Sequence, residues 1–315
     1  MGFISEIFGY ILNFFYELLN NYGLAIIIFS VLLRLILIPI TIKQQKTMKK
    51  STKLQEKMKE LQEKYKNNPE KLNQATIELY KTEKMSPFSG CFTAILQVII
   101  ILSVFWLVSQ PLTYMKRVNA DENSKTIIEE YKTKISEENS GKKSNYIEIE
   151  IISRIENDYN EIIEKLKDEN LENKEELELK KDQYEKLKIN MEFLGLDLSK
   201  VPTESLNDWR VYIIPVLYVL TSFISIKITT KKQNKNKNKD IVIKDGEKEG
   251  QNEMLDSMGQ MNNSMLYMTP ILSISIAVIA PLGLALYWLV SNILIILERI
   301  IINKFIGSKE EEENE

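Results

Sequence analysis

Histidine is absent from the 315-residue sequence, and cysteine occurs once, as Cys91. The first absence removes the side chain most used for acid–base work near neutral pH and the commonest zinc ligand. The second excludes a disulfide within one chain. Few candidates for catalytic chemistry remain, and nothing calls for a catalytic residue, a metal or a cofactor. The net charge, −3, carries little information because the sign differs sharply from loop to loop, and nothing marks DNA as a partner.

What is present is apolar sequence in blocks separated by very charged stretches. From Gly23 to Ile42 twenty residues are nearly all apolar. At 1.5 Å per residue such a helix is about 30 Å long, the thickness of a bilayer's hydrocarbon core. Arg34 lies near its middle, where an ionised group costs about 2.5–3.5 kcal/mol on insertion scales. Two readings stay open. Either the side chain snorkels to a headgroup from a depth of about eight to eleven residues, or it faces a polar cavity within the protein. On the second reading, replacing Arg34 by Ala should stabilise the fold and impair function.

The remaining blocks follow in order. Residues 1–21 place Ile4, Ile7, Phe8, Ile11, Leu12, Phe15, Leu18 and Leu19 on one helical face, with Glu6, Asn13, Glu17 and Asn20 opposite, as in a helix lying in a membrane interface. A secretory signal is the competing reading, but it would begin basic, and no Lys or Arg precedes the first span, 22–42. Residues 43–87 hold twelve Lys against six Glu, an excess that marks the cytoplasmic side and puts the N-terminus outside. Helical spacing on both sides of Asn67-Asn68-Pro69 predicts a cytoplasmic hairpin, with a solvated, siteless coiled coil as the bland alternative. A second span, 88–112, contains Gln97, which either hydrogen-bonds another helix or lines the same wet space as Arg34.

Residues 113–208 return to the outside with sixteen Lys or Arg against twenty-four Asp or Glu. Ile152, Ile155, Tyr159, Ile162 and Leu166 recur at helical spacing, as do Leu177, Tyr184, Leu187, Met191 and Leu194, which predicts an antiparallel coiled-coil hairpin. A third span, 209–228, contains Pro215 and Tyr218; a proline inside a span frees a carbonyl and predicts a kink or a widened groove. The polar, lysine-rich 229–263 reads as a flexible cytoplasmic loop. Spans 264–280 and 282–303 meet at Ala280-Pro281-Leu282-Gly283, and an acidic tail, 304–315, ends the sequence. The expected fold is an all-α polytopic membrane protein with five transmembrane helices, N-terminus outside and C-terminus cytoplasmic.

The motifs NYGLAIIIFSVLLRLILIPITIKQ, LQEKYKNNPEKL, LYK and GCFTAILQ, then FLGLDLSKVPT and APLGLALYWLVSN, occur in an order and spacing that resembles the YidC/Oxa1/Alb3 membrane protein insertases in their Gram-positive bacterial form. The resemblance covers 1–112, 193–228 and 264–306; the external insertion lies outside it. It implies a bacterial plasma-membrane protein without catalytic chemistry, whose hydrophilic groove, open to cytoplasm and lipid, receives nascent membrane proteins alone or with the Sec translocon.

In that setting Arg34 would attract acidic client residues, and Gln97 would keep the groove wet. Tyr218, Tyr287 and Trp288 would offer a slide for the apolar helix, although aromatics near a span end also serve as interfacial anchors. Leu54, Met58, Leu61, Tyr65 and Tyr80 of the cytoplasmic hairpin would capture clients, beside membrane lipids. The ribosome is a further implied partner, but the acidic tail argues against docking on ribosomal RNA through it. Two other classes fit the residues alone: a small-solute transporter or channel subunit, with Arg34 binding an anion, and a membrane scaffold acting through the external hairpin.

Overall fold

A stretch of apolar residues in hydrocarbon must satisfy every backbone donor and acceptor internally, so the spans are helices. The computed structural model describes residues 2–66, 68–83, 89–138, 146–168, 173–235 and 277–312. Helix α1 (Gly2–Leu19) turns at Asn20 into α2 (Tyr22–Lys64), whose start is capped by the Asn21 side chain accepting from the Leu24 N–H at 3.0 Å. Helix α3 (Pro69–Thr82) begins on an Asn68 cap with proline in the first turn, where its missing N–H costs nothing. Then come α4 (Ser89–Ser109), the single turn α5 (Pro111–Tyr114), the helices α6 (Glu122–Glu138), α7 (Ile147–Lys165) and α8 (Lys174–Leu187), the long α9 (Ile213–Lys235), and α10 (Leu282–Glu312). Among the described residues three stretches are long and apolar enough to cross a bilayer, Tyr22–Gln44, Trp209–Ile228 and Leu282–Ile302. In α4 the apolar stretch Val98–Ser109 is shorter. The expected span 264–280 lies outside the described residues apart from 277–280.

Helix α10 packs against α2, α9 and α4, and α1 against α2 and α4. The buried seam is apolar: Ala25, Ile26, Phe29 and Leu33 of α2, Ile100, Val104 and Leu107 of α4, and Leu284, Ala285 and Leu289 of α10. Turned away from it, Leu24, Ile28, Val31, Leu35 and Ile36 of α2 and Val216, Leu217, Leu220, Phe223 and Ile224 of α9 are exposed. That inversion is expected of helices whose outer solvent is lipid.

Four features differ from the sequence expectation. First, α1 buries Ser5, Gly9, Leu12 and Tyr16, and exposes the apolar Phe3, Ile7, Tyr10, Phe14 and Leu18. Small residues let the α1 backbone reach the α4–α5 corner: Ser5 Oγ donates to the Ser103 carbonyl at 3.0 Å, and a Cβ on Gly9 would stand 2.0 Å from the Tyr114 carbonyl oxygen. Second, Pro215 is the third residue of α9 and falls in its first turn, where no donor within that helix is required, rather than in its interior. The interior proline is Pro39 of α2.

Third, the segment 113–208 has three α-helices of more than one turn among its described residues rather than a hairpin of two. Ile128, Tyr131 and Ile135 of α6 join Ile151, Ile152, Ile155 and Ile162 of α7 and Tyr184 and Leu187 of α8 in its buried core. Fourth, Leu194 does not continue α8. It sits, exposed and at φ +53°, beside Gly195 in the tight turn between β1 (Glu192–Phe193) and β2 (Leu196–Asp197). The hairpin expected over 43–87, for its part, is not a separate element on its first side: α2 runs without a break from Tyr22 to Lys64.

Candidate functional site

Arg34 is carried on α2 and faces α10, where its Nε lies 2.8 Å from Oε2 of Glu298. The side chains are 17% and 7% exposed, so each charge is largely withdrawn from solvent. Neither Glu298 oxygen nor Arg34 Nε makes a well-directed hydrogen bond, although all three are buried. The contact is therefore a close ion pair held by charge more than by hydrogen-bond geometry. Five residues on, Pro39 lacks the N–H that would have paired with the carbonyl of Leu35, so a backbone acceptor without its usual intrahelical donor stands next to Arg34 in the chain.

Helical geometry divides α10 into two faces. Tyr287 and Glu298 are eleven residues, about three turns, apart and point the same way. Tyr287 is buried and lies within electrostatic reach of Arg34. Trp288 and Asn292, one turn apart, face α9 instead: the Trp288 ring packs against Tyr218 at 6.4 Å between centroids, and Asn292 Nδ2 donates to Thr221 Oγ1 at 3.1 Å and to Ser222 Oγ at 3.2 Å. The structure thus joins Arg34 with Tyr287 and Tyr218 with Trp288. Tyr218 and Tyr287 are buried between helices, leaving Trp288 as the partly exposed member of the expected slide. The side chain of Gln97 lies outside the described residues; its backbone is in α4.

Glu298 and Asn292 are the residues that the sequence pattern left without a role. The signal for Asn292 was its place as a polar amide within an apolar span, and for Glu298 its place before the end of the apolar run.

The N-terminal ends of α2 and α10 are closed by the segment that follows α8. The Tyr22 N–H donates to the Asn190 carbonyl at 3.0 Å, and the Leu282 and Gly283 N–H groups donate to the Lys200 and Leu198 carbonyls, each at 2.9 Å. Gly23 admits the Phe193 ring where a Cβ would stand 2.4 Å from it. These contacts satisfy the first donors of α2 and α10. Helices α6–α8 are tied to the same end by Glu148, which is buried and accepts from the Thr113 N–H at 2.9 Å and its hydroxyl at 2.6 Å. Burial raises the Glu148 carboxyl above its ordinary value, against the opposing effect of the Thr113 hydrogen bonds.

On the arm formed by the end of α2 and by α3, Leu54 is only 6% exposed. Met58, Leu61, Tyr65 and Tyr80 are half-buried, and Ile77 is 56% exposed. Helices α2 and α3 pack together and are bridged by Lys57 and Glu83, an exposed pair that contributes little.

The 60Kd inner membrane protein family matches this chain over residues 14–310. A membrane protein insertase YidC from Caldanaerobacter subterraneus subsp. tengcongensis is 39% identical over 105 residues, 33% of this chain and 51% of that protein. Its namesake from Francisella tularensis subsp. novicida is 39% identical over 107 residues, 34% of this chain and 19% of that protein. The chain thus spans about half the length of the first relative and about a fifth of the second. With the family match running over most of its length, this chain belongs to the 60Kd inner membrane protein family, the YidC/Oxa1/Alb3 proteins.

Proposed function

We propose that this protein inserts nascent membrane proteins by offering their hydrophilic segments a polar path through the hydrocarbon. The observation that carries the reading is the Arg34–Glu298 pair, two charges inside apolar spans whose outer ends are roofed by residues 190–200. A site that is polar within and closed outside admits a segment from the cytoplasmic side or from lipid. Family membership and the printed names of the two relatives point the same way.

The physical work is the lowering of a desolvation barrier. A client carboxylate or amide crossing bare hydrocarbon loses its water with nothing in return; beside Arg34 it exchanges water for protein groups. Trp288 and the exposed apolar residues of α9 give the client's apolar helix a surface to slide along as it passes into lipid. Five spans, an external N-terminus and a cytoplasmic hairpin that collects clients through Met58, Leu61, Tyr65, Tyr80 and the exposed Ile77 complete the proposal. The Sec translocon, the ribosome and anionic lipid are its implied partners.

The test uses purified protein in vesicles and a single-span client synthesised in vitro. Protection of the client's translocated tail from added protease, above the level of empty vesicles, is the expected result. Equal protection in empty vesicles, together with protein-dependent uptake of a small anion, would replace the insertase with a transporter.

A further inference from the structure

A residue that already sits on Arg34 competes with anything arriving there. We infer that Glu298 occupies the position a client carboxylate would take on Arg34, and so sets how far this protein distinguishes acidic from neutral translocated segments. This rests on the insertase reading above and adds to it a specificity-determining residue in the protein itself.

Three observations carry it. The ion pair is close, 2.8 Å, and buried on both sides. It is also poorly hydrogen-bonded, since Arg34 Nε and both Glu298 oxygens lack a well-directed partner. A buried pair recovers its desolvation cost only when good geometry and further hydrogen bonds satisfy its remaining protons and lone pairs. This pair does not, so a carboxylate that meets the guanidinium fork head-on competes with Glu298 on better hydrogen-bonding terms. Finally, Arg299 is half-buried and within electrostatic reach of both Arg34 and Glu298. The field at Arg34 is therefore set by charged neighbours on α10 as well as by its own partner.

Glu298 then acts as a threshold. A neutral segment passes without disturbing the pair, whereas an acidic one is held only after it displaces Glu298. Removing the Glu298 charge leaves Arg34 open and raises the preference for acidic segments. Shortening the side chain by one methylene, as Asp, weakens the pair without deleting the charge and shifts the preference in the same direction by less.

The experiment compares insertion of one single-span client in two versions, with one Asp or one Asn in its translocated tail, into vesicles carrying the parent, Glu298→Gln, Glu298→Asp or Arg34→Gln/Glu298→Gln at equal abundance. The acidic-to-neutral ratio should rise roughly tenfold in Glu298→Gln, the order expected when one charge-assisted contact is freed. It should rise less in Glu298→Asp and fall below the parent's in the double variant. Glu298→Asp preserves both charges and serves if Glu298→Gln fails to fold. An unchanged ratio in whichever of these two variants inserts the neutral client at the parent's rate overturns the inference while leaving the insertase reading intact. Failure of the parent to insert either version above empty vesicles sinks that reading instead.

Discussion

Removing Arg34 alone should destabilise the protein, the reverse of what a lone cation in a span implies. At 2.8 Å the attraction between Arg34 and Glu298 is about 6 kcal/mol in an effective dielectric of about 20, before either desolvation cost is subtracted. Deleting one partner of a buried pair costs about 3–5 kcal/mol, because the survivor is left buried and uncompensated. Both single variants, Arg34→Ala and Glu298→Ala, should show a loss of about that size. Arg34→Leu/Glu298→Leu removes both charges and both desolvation costs and should be neutral or more stable than the parent by about 1–4 kcal/mol. Thermal and denaturant unfolding of the four proteins in one detergent, at one concentration, measures the cycle. If Arg34→Ala unfolds at or above the parent's midpoint, or if the two single effects simply add in the double variant, the pair does not carry the energy assigned to it.

Three further outcomes are expected. In Gly9→Ala the new methyl would stand 2.0 Å from the Tyr114 carbonyl oxygen, so α1 must lift from the α4–α5 corner. Overpacking costs about 1–3 kcal/mol against about 1 kcal/mol gained in helix propensity, and limited proteolysis should cut α1 sooner than in the parent. Glu148 keeps its proton to higher pH in the folded protein than in the unfolded chain, so its contribution is favourable below 4.5, its ordinary value, and is lost as pH rises through the folded value. Glu148→Gln removes that dependence, and its melting temperature relative to the parent should climb across this interval; a difference that stays flat with pH removes Glu148 as the cause. Orientation is read with an impermeant maleimide in a chain whose Cys91 is replaced by Ser: Lys180→Cys on exposed α8 should label in intact cells, and Asn73→Cys on exposed α3 only after permeabilisation.

The helical spans Tyr22–Gln44, Trp209–Ile228 and Leu282–Ile302 were legible because length and apolarity are properties of a stretch, and no distant residue is needed to read them. Helix α6 was not. Its buried residues, Ser124, Ile128, Tyr131 and Ile135, sit in a run so charged that the apolar stripe is narrow, and it becomes a core element only when α7 and α8 cover it. The face that α1 packs on the protein was not legible for a related reason. An amphipathic pattern states which side is apolar, whereas the choice between protein and lipid as the neighbour of that side was made by the small residues Ser5 and Gly9, which allow close backbone approach. In a membrane the apolar stripe and the buried stripe need not coincide.

The same limit explains the site. Arg34 announced itself because a charge in the middle of an apolar helix is costly wherever that helix packs. Glu298 did not, because it stands near the point where α10 leaves the apolar run, and α10 stays helical well past that point to Glu312 with no stop to mark the membrane's edge. A carboxylate there reads equally well as an interfacial charge. Only the packing of α2 on α10, with Tyr22 against Gly283 at their N-terminal ends, brings Glu298 to a level where the Arg34 side chain can reach it. The cost of burying Arg34 is thus partly offset inside the molecule. On the function proposed above, a client's acidic residue would be recognised by how much better it serves Arg34 than Glu298 does, and not by the presence of a cation alone.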